Sequence, residues 1–188
     1  VGFYRRGTVE LARELVGTLL MHDSPSGRAV GRIVETEAYL SEGDPASHSH
    51  RGRTDRNASM FACAGTVYVY LIYGVHRCLN VVTAEEGVGE AVLLRALEPL
   101  EGLDVMAARR GTSTVRSLCS GPGKLAQAMG VSGEHDGVSL LNGALGLYAP
   151  EVDAEGAKVA AGPRVGISRA TELPLRFWLA GSPFVSRT

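Results

Sequence analysis

Two glutamates and a tyrosine recur at every second position in Arg32-Ile-Val-Glu-Thr-Glu-Ala-Tyr-Leu40. If this segment is a strand, Ile33, Glu35, Glu37 and Tyr39 share one face and Arg32, Val34, Thr36 and Ala38 the other. A carboxylate next to an aromatic ring is poised to accept a proton from water, so Glu35 and Glu37 are candidate general bases of equal merit. Their side chains would sit roughly 7 Å apart, which also suits a carboxylate pair acting on a glycosidic bond. His48-Ser-His50 follows, then Tyr68-Val-Tyr-Leu-Ile-Tyr-Gly74, in which Tyr68 and Tyr70 share a face and Tyr73 falls at a turn. Such rings suit a flat ligand, with Glu37 at its edge.

Other groupings are weaker. His48 and His50 with Glu37 or His76 have the donor types of a metal site, but no His-Glu-x-x-His occurs and no metal is expected. Gly121-Pro-Gly-Lys124 lacks the spacing of a phosphate-binding loop and instead starts a helix, whose amino end can still receive a phosphate. The net charge of −1 argues against coating nucleic acid by bulk attraction. Charge is locally concentrated, however, because Arg51, Arg53 and Arg56 stand beside His48 and His50, relieved only by Asp55. Lys124 and Lys158 are the only lysines among 19 basic residues; the rest are arginines, suited to forked contacts with phosphate oxygens.

The elements that must hold these groups fit one domain over residues 1–188, long enough to bury its own core. Hydrophobic residues make up 45% and charged residues 21%, and no apolar run reaches the roughly 20 residues of a spanning helix, so a soluble globular chain is expected. Three cysteines without a Cys-x-x-Cys pair favour a reducing compartment, and nothing at the amino end marks export. Thr8 reads as the N-cap of a short helix ended by Gly17. A hairpin is expected from residues 19–22 and 29–40, then a long polar loop over 41–59, and a second hairpin from 67–72 and 78–83. Residues 91–97 form a strand interrupted by Arg95, whose charge needs a partner. Helices are expected near 101–110 and from Gly121 to Met129, with a weakly patterned connection over 111–120. Further strands are expected at 140–148, 164–168 and 175–179, with a loop near 150–162. The fold class is α+β, built on antiparallel hairpins with short helices around them.

Read together, Arg32-Ile-Val-Glu-Thr-Glu-Ala-Tyr39, Arg56-Asn57, Met60-Phe61, residues 65–74, Leu93-Leu-Arg-Ala-Leu-Glu-Pro-Leu-Glu-Gly102 and Ser120-Gly-Pro-Gly-Lys-Leu125 resemble the alkyladenine, or 3-methylpurine, DNA glycosylases. The resemblance runs through Arg164-Val-Gly166 and Pro174-Leu-Arg-Phe177. It implies a monomeric enzyme without cofactor that flips a damaged purine out of duplex DNA and hydrolyses its N-glycosidic bond. On that resemblance Glu37 activates water, Arg95 lies beside it and the carbonyl of Val165 orients the water. Tyr39 would stack on one side of the base and Tyr70 with His48 on the other, while Met60 lines the pocket and Asn80 crowds the amino group of guanine. Tyr73 would fill the gap left in the duplex. Arg53, Val75, His76 and Lys124 would contact DNA, and Glu35 becomes structural.

Neither lysine matches a position at the reacting sugar, so no Schiff base and no strand-nicking activity is implied. Val75-His76 and Asp55 depart from the vertebrate pattern, which implies different contacts to the opposite strand. An intracellular location with the DNA follows, in the cytoplasm or nucleoid of a bacterium or the nucleus of a eukaryote. The alternative reading is a module that recognises damaged duplex without cutting a bond.

Overall fold

In chain order the elements are α1 (Thr8–Glu14), β1 (Leu19–Ser24), β2 (Gly27–Tyr39), β3 (Val67–Ile72), β4 (His76–Val82), β5 (Ala91–Glu101), α2 (Leu103–Arg110), α3 (Val115–Leu118), α4 (Pro122–Met129), β6 (Leu145–Tyr148), β7 (Val159–Gly162) and β8 (Arg176–Leu179). The structure is a computed structural model that describes residues 2–72, 74–150 and 158–186. All the described strands join one antiparallel sheet, in the order β3-β4-β5-β2-β1-β6, with β8 on β2 and β7 on β8. The α+β class built on antiparallel hairpins is therefore what the chain adopts. No helix among the described residues is long and apolar enough to cross a membrane.

Strand β2 is the centre of this arrangement. β5 runs along one edge, while β1 covers the first half of the other edge and β8 takes over opposite Glu35, Thr36 and Glu37. A strand flanked on both sides has most of its backbone groups paired, so the carboxylates it carries are held on a stiff support. Leu11 of α1 and Leu15 just after it, Leu125 and Met129 of α4, and Leu94 and Leu97 of β5 share the main apolar core. A second, smaller cluster joins Met60, Tyr68, Val82 and Ala91, with Tyr39, Phe61 and Tyr70 packed on it. The aromatic site thus has its own apolar foundation.

Alternation along β2 holds from Glu35 onward and fails before it. The β2–β5 register passes from Ile33↔Leu97 to Glu35↔Ala96 and then to Thr36↔Leu94. Val34 is thus the extra residue on β2, and Arg95 the extra residue on β5, a pair of bulges that offset each other. Ile33 consequently packs in the main core with Ala38 rather than beside Glu37, and Leu94 and Leu97 share that core across three residues instead of two.

Several boundaries differ from those expected, each for a local reason. Gly7, not Thr8, is the N-cap of α1, because the Thr8 hydroxyl is engaged by Thr83 and Glu90. The 41–59 loop is not irregular throughout: 3-10 helices occupy His48–Arg51 and Asp55–Phe61. Asn57 ties them together by donating to the carbonyls of His48 (2.9 Å) and Gly52 (3.1 Å). β4 starts at His76, β6 only at Leu145, and residues Val159–Gly162, expected in a loop, form β7 against β8. The 111–120 connection contains the short helix α3.

β5 continues through Pro99 to Glu101, and α2 begins only after Gly102. Gly102 has φ 73°, and a Cβ there would lie 2.0 Å from the carbonyl oxygen of Arg28, so the join needs a glycine. Residues 164–168 form no strand. The Val165 N–H that would enter a ladder is donated to Glu37 instead.

Candidate active site

The two hairpins and the loops around them enclose a cleft of about 1000 Å³. That is ample for a small planar ligand with part of a polymer attached. Tyr39, His48, Met60, Tyr70, Asn80, Arg95 and Val165 all border it, so parts of the chain far apart in sequence converge there. Tyr73 lies outside the described residues.

Glu37 is the deepest group of this constellation, with no exposed surface. The hydroxyl of Tyr39 donates to its Oε2 at 2.9 Å, Arg95 Nη1 donates to the same oxygen at 3.2 Å, and the N–H of Val165 donates to Oε1 at 2.7 Å. A carboxylate offers about four lone-pair positions, so three donors leave one for a water. Burial pushes the Glu37 carboxyl above its ordinary value, opposed by Arg95, the Val165 amide and the Tyr39 hydroxyl. A carboxylate whose proton affinity is raised in this way is a stronger base than one in water. The observed contact of Val165 is its amide, whereas the carbonyl was the expected participant.

Glu35, the rival base, is buried just as fully but differently engaged. Its Oε1 accepts from Arg176 Nε at 2.7 Å and Arg95 Nε at 3.1 Å, and its Oε2 from the N–H of Ser186 at 2.7 Å. Like Glu37 it lies behind the residues that border the cleft, and it anchors two guanidinium groups. Arg95 is the partner that both carboxylates share, which meets the requirement that its buried charge be matched. Burial works against that charge, and Glu37 and Glu35 outweigh it, so its pKa is raised.

The aromatic walls are set by β2, β3 and the first 3-10 helix. Tyr68 and Tyr70 present rings 5.6 Å apart, and the His48 ring stands edge-on to Tyr70 at 4.4 Å. The Tyr68 hydroxyl lies 2.9 Å from His48 Nδ1. Burial, helped by Arg56, depresses the His48 pKa and so keeps the ring neutral. Asn80 is fixed by donating to the carbonyl of Tyr68 at 3.0 Å, and Met60 closes the floor with 2% of its surface exposed.

The rim is basic, formed by Arg51, Arg56, Lys124 and Arg169. Arg56 is held by its bond to the Leu71 carbonyl at 2.9 Å. Val75 is 69% exposed at the β3–β4 turn, and His76 packs beside Gly123 at the start of α4. Arg53 is exposed but does not border the cleft.

Three features lie beyond sequence reasoning: Arg169 on the rim, the Arg176–Glu35 pair, and a buried pair of Arg164 with Asp44. The signal for Arg176 is the one used for Arg95, a charged residue in an apolar strand. Asp44 sits in a polar stretch and gives no such signal.

The match extends beyond single residues. The family described as methylpurine-DNA glycosylase (MPG) matches residues 2–183. A protein of Methanoculleus marisnigri is 55% identical over 189 residues, covering 98% of this chain and 96% of that protein. One of Chlorobaculum tepidum is 48% identical over 188 residues, covering 99% and 89%. One of Agrobacterium fabrum is 50% identical over 185 residues, covering 98% and 90%. Each carries the name "Putative 3-methyladenine DNA glycosylase", and the coverage is close to full length on both sides. The chain belongs to the methylpurine-DNA glycosylase family.

Proposed function

We propose that the protein excises alkylated or deaminated purines from duplex DNA by hydrolysing the bond between base and deoxyribose. The observation that carries this reading is a fully buried carboxylate of raised proton affinity directly behind a cleft walled by aromatic rings.

A stacked base cannot be reached at its sugar carbon, so the nucleotide is turned out of the helix into the cleft. Tyr39 takes one face of the purine, and Tyr70 with His48 the other. A purine made cationic by methylation is drawn to such rings. Asn80 rejects guanine by crowding its amino group. Tyr73 occupies the vacated position in the duplex, and Arg51, Arg53, Arg56, Val75, His76, Lys124 and Arg169 face the backbone and opposite strand.

Glu37 takes a proton from water while the water oxygen bonds to C1′, and the glycosidic C–N bond breaks with its electron pair leaving on the purine. A base methylated on its ring departs neutral, and an abasic site remains. Arg95 holds Glu37 ionised before the transfer. No amine enters the reaction, so the strand is not nicked. The enzyme acts as a monomer on the cell's own DNA.

The test is incubation with duplexes carrying methylated adenine, hypoxanthine or ethenoadenine, followed by alkali to reveal abasic sites. Glu37→Gln should lower base release about 10²-fold or more, the range of general-base catalysis. Release at the original rate would leave only a module that binds damaged DNA.

A further inference from the structure

Arg164 and Asp44 form the only ion pair among the described residues in which both side chains are wholly buried, and it belongs to none of the roles above. Arg164 Nη1 and Nη2 each reach Asp44 at 2.6 Å, a two-pronged contact. Nη1 also donates to the carbonyl of Ala38 at 3.0 Å. Asp44 in turn accepts the N–H groups of Leu40 (3.1 Å) and Ala46 (3.2 Å). One ion pair thereby ties the end of β2, the 44–46 turn and the chain entering residue 165.

Its placement bears on the cleft from two directions. The Arg164 guanidinium carbon lies 4.6 Å from the centroid of the Tyr39 ring. Arg164 does not border the cleft while Tyr39 does, so the cation backs the ring from the side away from it. The next residue, Val165, donates its N–H to Glu37 Oε1, and the hydroxyl of the backed ring donates to Glu37 Oε2. Arg164 Nε is buried with no hydrogen-bond partner, so the guanidinium is not held in its most saturated arrangement. A side chain kept with an unsatisfied buried donor costs stability, which a purely structural anchor would have no reason to tolerate.

We propose that the Arg164–Asp44 pair is a positioning device for the reaction. It seats Tyr39 as a stacking platform and simultaneously aims two of the three donors that orient the Glu37 carboxylate. This rests on the reading of Glu37 as the base, and it couples the holding of the purine to the activation of water. A guanidinium fork, rather than an ammonium, is needed to bond Asp44 twice while standing over a ring.

The test uses Arg164→Met and Asp44→Asn in the full chain. Two readouts separate positioning from mere folding. The first is the carboxyl-carbon NMR titration of Glu37 in the free protein, assigned by its absence in Glu37→Gln. The charged and titratable groups facing Glu37 are Tyr39 and Glu35 on β2, Arg95 on β5, Cys78 on β4, and Arg164. Loosening the Val165 and Tyr39 donors should move its titration upward in both variants, with Arg95 still in place. The second readout is single-turnover release of methylated purines from dimethyl-sulfate-treated duplex, which should fall about 100-fold, as misplacement of a reacting group by about 1 Å does.

A folded variant with unchanged titration and unchanged rate overturns the proposal. Loss of cooperative folding in both variants also overturns it, since the pair would then be structural. Wild-type protein that releases no base would sink the glycosylase reading instead, and the NMR titration would still decide whether the pair orients Glu37.

Discussion

Replacing Glu35 by glutamine and, separately, Glu37 by glutamine should separate stability from chemistry. Glu35 is wholly buried and accepts from two guanidinium groups, at 2.7 and 3.1 Å, and one amide at 2.7 Å. Breaking a buried ion pair by removing one charge costs about 3–5 kcal/mol. Arg95 retains Glu37 at 3.2 Å, and a glutamine oxygen still accepts, so the lower end, about 3 kcal/mol, is expected for Glu35→Gln. Glu37 differs in sign. Its folded pKa is raised, so whatever it contributes to stability is present below its unfolded pKa and is lost as pH rises through the folded value. At neutral pH the ionised group works against the fold, and Glu37→Gln should change stability by less than about 1 kcal/mol, since the amide carbonyl keeps the Val165 bond. The assay is urea unfolding at pH 7 followed by two probes, with two-state behaviour checked by their coincidence. A larger loss for Glu37→Gln than for Glu35→Gln would refute the division of roles between the two carboxylates.

The acid limb of the single-turnover rate should lie above the ordinary glutamate value of about 4.3, because burial raises the Glu37 pKa and only the ionised form accepts a proton; a rate that is flat down to that value contradicts the assignment of the base. A second pH effect should appear in stability. The Ser132 N–H donates to His135 Nδ1 at 3.0 Å, His135 Nε2 faces His22 Nε2 at 3.3 Å, and His22 Nδ1 faces the Met129 carbonyl at 2.7 Å. That chain needs a neutral His135 ring, whose Nδ1 accepts from Ser132, and burial, with His22 beside it, depresses the His135 pKa. The stability it gives is present above about 6.5 and lost as pH falls through the folded pKa, so the urea midpoint should drop on acidification and His135→Asn should flatten that dependence. Gly102→Ala should cost more than 1 kcal/mol, the rough penalty of a left-handed alanine, because its methyl also meets the Arg28 carbonyl; a thermal midpoint unchanged from wild type would show that the β5–α2 join relaxes freely.

Local rules carried far where they had something periodic to act on. The hairpins, the common face of Glu35, Glu37 and Tyr39, and the demand of Arg95 for a partner were all legible, because alternation and buried charge are properties of neighbouring residues. Ile33 escaped, since a bulge has no signature in the alternation it interrupts. Residues 164–168 read as a strand because Val165 and Ile167 alternate with polar neighbours, yet their amide and guanidinium are engaged by Glu37 and Asp44, more than a hundred positions earlier in the chain. Roles that depend on such distant pairs are set by the fold as a whole. The family resemblance favoured one of the two carboxylates, and their partners differ: Glu35 accepts from Arg176, Arg95 and the Ser186 amide, while Glu37 accepts from Tyr39, Arg95 and Val165, all three of which border the cleft.

The offsetting bulges at Val34 and Arg95 have a bearing on how this chain can change length. Each adds one residue to its own strand, so the two strands are back in step from Thr36 onward. Because Val34 is the residue without a partner, its deletion alone leaves the pairings Ile33↔Leu97, Glu35↔Ala96 and Thr36↔Leu94 available and keeps Glu35, Glu37 and Tyr39 on their face. Deletion of a paired residue such as Thr36 would instead move the later residues of β2 by one place and turn Glu37 and Tyr39 to the other face. Val34 is wholly buried, so a larger side chain there would have to displace its neighbours, whereas the loss of its codon is the length change that the β2–β5 register can absorb.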